Sequence, residues 1–139
     1  MVKEMNIYLA ASSRYQASKE RKTIYLLEAK VDGVPYTKHE VMRMTETYHG
    51  AMVRTLKAAA GRIREPVDVH IYTDDDYLNS RLGELALMSA ADFKNRDGTK
   101  IAYANDWQEI AEKIKNAKVE AGEHSYSDWM IRQMEEKDV

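Results

Sequence analysis

The chain has 139 residues, of which 44% are hydrophobic and 32% are charged, and its formal net charge is −2. This length predicts a single domain over residues 1–139 with one hydrophobic core, and the composition excludes wholesale disorder. The absence of cysteine excludes disulfides, thiolate zinc sites and cysteine nucleophiles. No segment reaches the ~20 apolar residues of a membrane span. We therefore expect a cytoplasmic protein without membrane contacts, in which nucleic-acid binding would need a local basic patch.

The first part of the chain predicts an antiparallel meander of three strands. The strands cover residues 6–10, 23–31 and 34–44, and Asp32-Gly33 is the hairpin turn between the last two. Pro35 lies near the start of the third strand, where proline is tolerated. The charged residues 19–22 are predicted to form a loop tip between the first two strands.

The remainder alternates helices with strands. Thr45 is the predicted N-cap of a helix that ends near Gly61, and residues 67–73 alternate in polarity as a strand does. The later elements are a helix over 77–91, a helix capped by Asp106, a strand over 117–121 and a helix over 125–137. This order predicts an α/β fold with a five-stranded mixed sheet, in which parallel strands extend the antiparallel meander and helices cover both faces.

Chemistry in such a sheet is expected beyond the carboxyl ends of the strands. The two candidate ends are Ala10-Ala11-Ser12 and Asp74-Asp75-Asp76. The three carboxylates would suit Mg²⁺ or Mn²⁺, or they form a solvated turn in which one aspartate caps the next helix. His124 and Asp128, four residues apart, are either a base or metal-ligand pair or ordinary residues near a helix terminus.

Three segments in this order resemble type 1 ribonuclease H. The segment VDVHIYTDDDYLNSRL resembles the family's strand that ends in T-D-S-x-Y, FKNRDGTKIAYANDWQEI resembles its N-x-D-x-W segment, and GEHSYSD resembles its G-H-…-N-x-x-x-D segment. The resemblance implies a ribonuclease H-like fold over nearly the whole chain. It places Asp74 and Asp128 on catalytic, metal-binding aspartates, with Mg or Mn as the metal, and His124 on the family's mobile histidine.

The same resemblance implies an incomplete set of catalytic carboxylates. Ala10 stands where the family has an aspartate that bridges both metals, and Tyr48 stands where its first helix carries a glutamate. Glu46 lies two residues earlier, which is about 200° away on a regular helix, so it is expected to face elsewhere. Because two-metal hydrolysis needs converging carboxylates, we expect catalysis to be impaired.

The expected function is therefore binding of nucleic acid, such as an RNA–DNA hybrid, or a role in assembly. The first alternative is an active Mg²⁺- or Mn²⁺-dependent ribonuclease that cleaves the RNA strand of hybrids. The second is a protein-interaction module that uses methionine and tyrosine side chains for contacts with a protein partner. The side chains considered for it are Met42, Met44, Met52, Tyr36, Tyr48 and Tyr72.

Basic and polar residues distinguish these alternatives, because phosphate binding requires positive side chains that cluster in space. One candidate basic stripe is formed by Arg14, Lys19, Arg21 and Lys22. The candidate nucleic-acid contacts are Ser12, Thr45, Tyr77, Lys94, Arg96 and Lys100.

Overall fold

The computed structural model describes residues 4–64, 67–120 and 124–139. Its strands are β1 (Glu4–Ala11), β2 (Lys19–Val31), β3 (Val34–Glu46), β4 (Val67–Tyr72) and β5 (Ile114–Glu120). Its helices are α1 (Tyr48–Ala60), α2 (Asp76–Gly83), α3 (Leu85–Ala90), α4 (Ala104–Lys113) and α5 (Ser127–Glu136). Within these ranges, no helix is both long and apolar enough to cross a membrane.

The strands form one mixed sheet in the order β3-β2-β1-β4-β5. The first three strands pair antiparallel, while β4 runs parallel to both β1 and β5. The tight β2–β3 turn places Asp32 and Gly33 at φ 53° and 80°, which matches the twist of the flanking strands. The predicted five-stranded mixed sheet is therefore confirmed.

Helices pack on both faces of the sheet, as the sequence predicts. Side chains alternate between the faces along each strand, so Ile7 and Leu9 join one core cluster while Tyr8 joins the other. The larger cluster includes Trp107 of α4, which is fully buried, and much of α1. The smaller cluster packs Met130 and Met134 of α5 against β2 and β3.

The predicted loop tip at residues 19–22 is wrong, because these residues extend β2. Pairing with β3 continues without a break to Lys19, which lies opposite Glu46. Arg21 is buried within this extension and donates hydrogen bonds to the backbone oxygens of Ser13, Tyr15, Ala17 and Glu46, at 2.7–3.1 Å. A run of charged residues resembles a loop in sequence, but here one guanidinium organises the true loop at residues 13–17.

Three predicted helix boundaries also differ. Thr45 pairs with Glu20 in the sheet, and Thr47 is the N-cap of α1 because its Oγ1 accepts from the Gly50 amide. The single helix predicted over 77–91 divides into α2 and α3 after Gly83, consistent with the poor helix propensity of glycine. Helix α4 begins at Ala104 rather than after Asp106, and the predicted end of the last strand at Ala121 lies outside the described residues.

Candidate functional site

A cavity of about 200 Å³ lies at the carboxyl ends of β1 and β4, against the start of α5. Asp74 and Asp128 both line it, together with His124. The positions that the family resemblance assigns to lost carboxylates, Ala10 and Tyr48, line the same cavity. The fold therefore brings together every residue that the sequence placed in the catalytic constellation, including the two that are not acids.

The carboxylate of Asp74 forms an ion pair with an arginine side chain. Arg14, from the loop after β1, forms an ion pair with Asp74 through Nη2 and Oδ2, and it also lines the cavity. In the described ranges, no three histidine, aspartate or glutamate side chains are grouped so that they could hold a metal ion. Two carboxylates and a guanidinium do not fit a two-metal centre.

Asp75 is buried and caps a helix, unlike the aspartates on either side of it. Its buried Oδ1 accepts from the Tyr77 amide at 3.1 Å, which caps α2, and lies 2.8 Å from Nδ1 of His49. Asp76 is exposed in the first turn of α2. Of the three adjacent aspartates, only Asp74 lines the cavity.

His49 is a polar residue of this region to which the sequence assigned no role. If Nδ1 donates to Asp75, Nε2 is left as the free acceptor of the ring. The ring also lies 4.9 Å from that of Tyr77, measured between centroids. The Asp75 partner is 26 residues away in sequence, and no motif signalled the pair.

His124 has a defined orientation in the cavity. Its Nδ1 accepts from the Tyr126 amide at 3.2 Å, so the neutral ring carries its proton on Nε2. Burial lowers the pKa of His124, while the nearby Asp74 carboxylate opposes that shift. The imidazole therefore favours its neutral form, in which Nε2 is a hydrogen-bond donor.

A buried polar cluster beneath His124 ties the start of α5 to the sheet. Glu28 accepts hydrogen bonds from Asn6 at 2.9 Å, from Tyr8 at 3.2 Å and from the Tyr126 hydroxyl. Burial alone would raise the pKa of Glu28, but these three donors outweigh it and hold the pKa below its usual range. The Tyr126 anchor positions the first turn of α5, which carries Asp128.

Tyr48 offers a neutral hydroxyl where the family resemblance places a glutamate. Burial, followed by the negative charge of Asp75, raises the pKa of Tyr48 to about 12. Glu46 does not replace the missing acid, because it ends β3 and forms an ion pair with Arg54 at 3.2 Å. The expected helical rotation between Glu46 and Tyr48 does not apply, because Glu46 lies on β3 and not on α1, and Glu46 is not among the described residues that line the cavity.

The four basic residues of the first candidate stripe, Arg14, Lys19, Arg21 and Lys22, do not form one exposed positive surface that could bind phosphate. Arg21 is buried and bound to backbone oxygens, and Nζ of Lys22 donates to the Met134 and Lys137 carbonyls at the end of α5. Arg14 is the member of the stripe that lines the cavity while its side chain stays 68% exposed. The sequence predicted one common role for Arg14, Lys19, Arg21 and Lys22, whereas in the structure only Arg14 of these four combines an exposed side chain with a place at the cavity.

The other candidate contacts lie in different surroundings. Lys94 and Lys100 are opposite each other in a short bridge, and Arg96 lies in the turn between them, so this basic group clusters on an exposed hairpin. Ser12 lines an adjoining cavity of about 750 Å³, and Thr45 is exposed on β3. The Tyr77 hydroxyl is buried, which argues against its use as a nucleic-acid contact.

The methionine and tyrosine surface proposed for a protein partner is only partly present. Met52 is fully buried and Tyr48 is nearly so, and both belong to the larger core cluster. Their place in a surface for a protein partner is therefore wrong, since both side chains pack inside the chain and neither lies on its outer surface. Tyr36 is exposed at the outer edge of the sheet.

Comparison of the sequence with known proteins finds partial relatives but does not assign the chain to a family. No family model matches the chain. Thiazole synthases from Xanthomonas oryzae pv. oryzae and Xylella fastidiosa are 32% identical over 106 residues, covering 76% of this chain and 40% of each relative. The chain thus spans about two fifths of the length of these curated relatives.

Several of the solved structures that resemble the chain are ribonuclease H proteins or domains by name. A type 1 RNase H with the type 2 active-site motif has a TM-score of 0.63 at 15% identity, covering 97% of this chain and 70% of that one. The PFV RNase H domain has a TM-score of 0.63 at 14% identity, covering 95% and 88%. The foamy viral protease-reverse transcriptase in complex with an RNA/DNA hybrid has a TM-score of 0.60 at 13% identity, covering 94% and 18%. The chain therefore has a ribonuclease H-like fold.

Proposed function

We propose that this ribonuclease H-like chain binds RNA–DNA hybrid through the cavity at the ends of β1 and β4, without hydrolysing it. The observation that carries the proposal is the Arg14–Asp74 ion pair in a cavity where Ala10 and Tyr48 also stand. The pair puts a fixed positive charge beside one of the two remaining carboxylates.

The loss of hydrolysis follows from the charges in the cavity. Two divalent ions about 3.5–4 Å apart need several converging carboxylates to hold them. Here Ala10 supplies no ligand, Tyr48 is held neutral by burial, and Arg14 repels a cation approaching Asp74. Transition-state stabilisation by two metals is therefore not expected.

Binding can persist because the same cavity presents donors that suit a phosphate backbone. The Arg14 guanidinium can engage a phosphate oxygen, and the Nε2–H of neutral His124 is a second donor at the cavity wall. The exposed basic hairpin that carries Lys94, Arg96 and Lys100 adds charge for a backbone. The foamy viral complex with an RNA/DNA hybrid supports this ligand class for the fold.

Fluorescence anisotropy with a labelled RNA–DNA hybrid tests the binding in EDTA, where metal cannot contribute. We expect saturable binding by the wild type and about tenfold weaker binding by Arg14→Gln, as expected for one charged hydrogen bond worth about 1.5 kcal/mol. The slope of log affinity against log salt should fall by about one in that variant.

Arg132→Gln is the matched control, because Arg132 is exposed on α5 and lines neither cavity. It removes the same charge and should bind within about twofold of the wild type. Equal losses in both variants, or no binding of hybrid in EDTA by the wild type, would contradict the proposed site.

A further inference from the structure

The outer edge of β3 is an open strand edge that carries exposed apolar side chains. β3 is the last strand on its side of the sheet, and among the strands that the structure describes only β2 pairs with it. Val34 and Tyr36 on this strand are 51% and 60% exposed. A 13-residue edge with exposed apolar side chains is a template for pairing with another strand.

The hairpin geometry fixes which backbone groups face outward. Val31 and Val34 flank the two-residue turn and form its hydrogen-bonded pair, so Pro35 is the first residue whose backbone is directed away from β2. Because the β2–β3 register is regular, Thr37, His39, Val41 and Arg43 also direct their backbone groups outward. Their even-numbered neighbours bond to β2 instead.

We propose that β3 pairs antiparallel with β3 of a second copy of the chain, with His39 on the twofold axis. In this register Lys38 lies directly opposite Glu40 of the second copy, and the symmetry forms this pair twice. Tyr36 lies opposite Met42 and Val34 opposite Met44, so the exposed apolar side chains gain apolar partners. These are closely spaced positions, where cross-strand pairs contribute most.

Charge complementarity selects this register over its neighbours. Sliding one strand by two residues in either direction brings Lys38 opposite Lys38, or Glu40 opposite Glu40, and like charges directly opposite are destabilising. Among the described residues, Lys38 has no ion-pair partner within 4 Å in the single chain, so it is available for this contact.

The same geometry produces a closed dimer. Each copy uses its β3 edge once in an isologous contact, so the pairing does not propagate. Pro35 lacks an outward N–H and therefore limits the ladder at each end. We expect a reversible dimer held by few hydrogen bonds, because one strand edge is a small interface.

Cysteine cross-linking tests the register directly, because the chain contains no cysteine of its own. His39→Cys should form a covalent dimer on mild oxidation, since Cα atoms of a hydrogen-bonded pair lie about 5.5 Å apart, within disulfide reach. Thr37→Cys is the matched control on the same face and edge. Its two copies would be four residues out of register, or about 14 Å apart, and should not cross-link.

Charge reversal gives a second measurement that does not depend on thiol chemistry. Sedimentation of the wild type should show a concentration-dependent dimer, Lys38→Glu should weaken it at least tenfold, and Lys38→Glu with Glu40→Lys should restore it. A wild type that stays monomeric at high concentration, equal cross-linking at positions 37 and 39, or no rescue by the double exchange would overturn the proposal.

Discussion

Asp74, Asp75 and Asp76 are consecutive in sequence, but the fold gives each a different environment. Asp74 pairs with Arg14 at the cavity, Asp75 is buried between His49 and the start of α2, and Asp76 is exposed to solvent. The difference arises at the end of β4, where the chain turns into the helix and directs successive side chains to different sides. This geometry excludes a metal site made of all three side chains. The alternative interpretation, in which one aspartate caps the next helix, is correct for Asp75.

The stability of the protein should separate the buried aspartate from the exposed one. Asp75→Ala removes the α2 cap and the acceptor for His49, and should lower the free energy of unfolding by about 2–3 kcal/mol. Asp76→Ala is the matched control and should cost less than about 1 kcal/mol, the value of an acidic side chain in a first helical turn. Urea unfolding of both variants measures this, and equal costs would show that the Asp75 contacts contribute little.

Among the elements, those with a regular polarity pattern could be predicted from sequence and those set by distant contacts could not. The strand over Val67–Tyr72 and the hairpin turn at Asp32-Gly33 follow from local signals. The extension of β2 does not, because a buried Arg21 is stable only through carbonyls that the folded loop supplies.

Some residues of the candidate site could also be predicted from local sequence, while others depend on contacts between distant parts of the chain. The short motifs around Asp74, His124 and Asp128 in the sequence are sufficient to predict these three residues as candidates. The Arg14 and His49 contacts join residues 60 and 26 positions apart and have no local signal. Their partners became identifiable only when the strand ends were brought together.

Arg21 should therefore be the most sensitive position in the extended part of β2. Arg21→Met keeps the length of the side chain but removes all donors to the loop carbonyls, and should destabilise the fold by about 2–4 kcal/mol. Lys19→Met, two residue pairs further out along the β2–β3 ladder and exposed, should change stability by less than about 0.5 kcal/mol. Hydrogen exchange at residues 13–17 should also accelerate in Arg21→Met alone, and unchanged exchange there would contradict the role of Arg21 in ordering the loop.

Buried and half-buried tyrosines link the stability of the protein to alkaline pH. Burial is the leading cause that raises the pKa of Tyr8, Tyr25, Tyr48 and Tyr72, and a hydrogen bond to Glu28 is the leading cause for Tyr126. A pKa raised in the folded state contributes stability that is present below the unfolded value of 10.0 and is lost as pH rises through the folded value.

The melting temperature should therefore be nearly constant from pH 8 to about 9.5 and fall steeply above about pH 10. Tyr48→Phe should make this fall shallower, because one raised pKa is removed. Tyr36→Phe, at an exposed position, is the control and should follow the wild-type profile. Identical slopes in all three proteins would contradict the linkage at Tyr48.

Restoring the carboxylates should change the metal affinity of the whole site. Ala10→Asp with Tyr48→Glu would place four carboxylates around one cavity, where their mutual repulsion is relieved by a cation. We expect calorimetry to detect Mn²⁺ binding by the double variant that the wild type lacks, and a melting temperature that rises with Mn²⁺. Either substitution alone should give much weaker Mn²⁺ binding and a smaller rise in melting temperature. A double variant that binds no better than the wild type would show that these positions do not converge as the cavity indicates.

Binding of hybrid at the cavity should occur without two-metal hydrolysis of its RNA strand. The most direct measurement is a gel assay of a hybrid labelled on its RNA strand, incubated with wild-type protein over a titration of Mg²⁺ and Mn²⁺ at concentrations where anisotropy shows binding. We expect bound but intact RNA throughout the titration. Metal-dependent cleavage by the wild type that Asp74→Asn abolishes would contradict it, because other ligands would then complete the site.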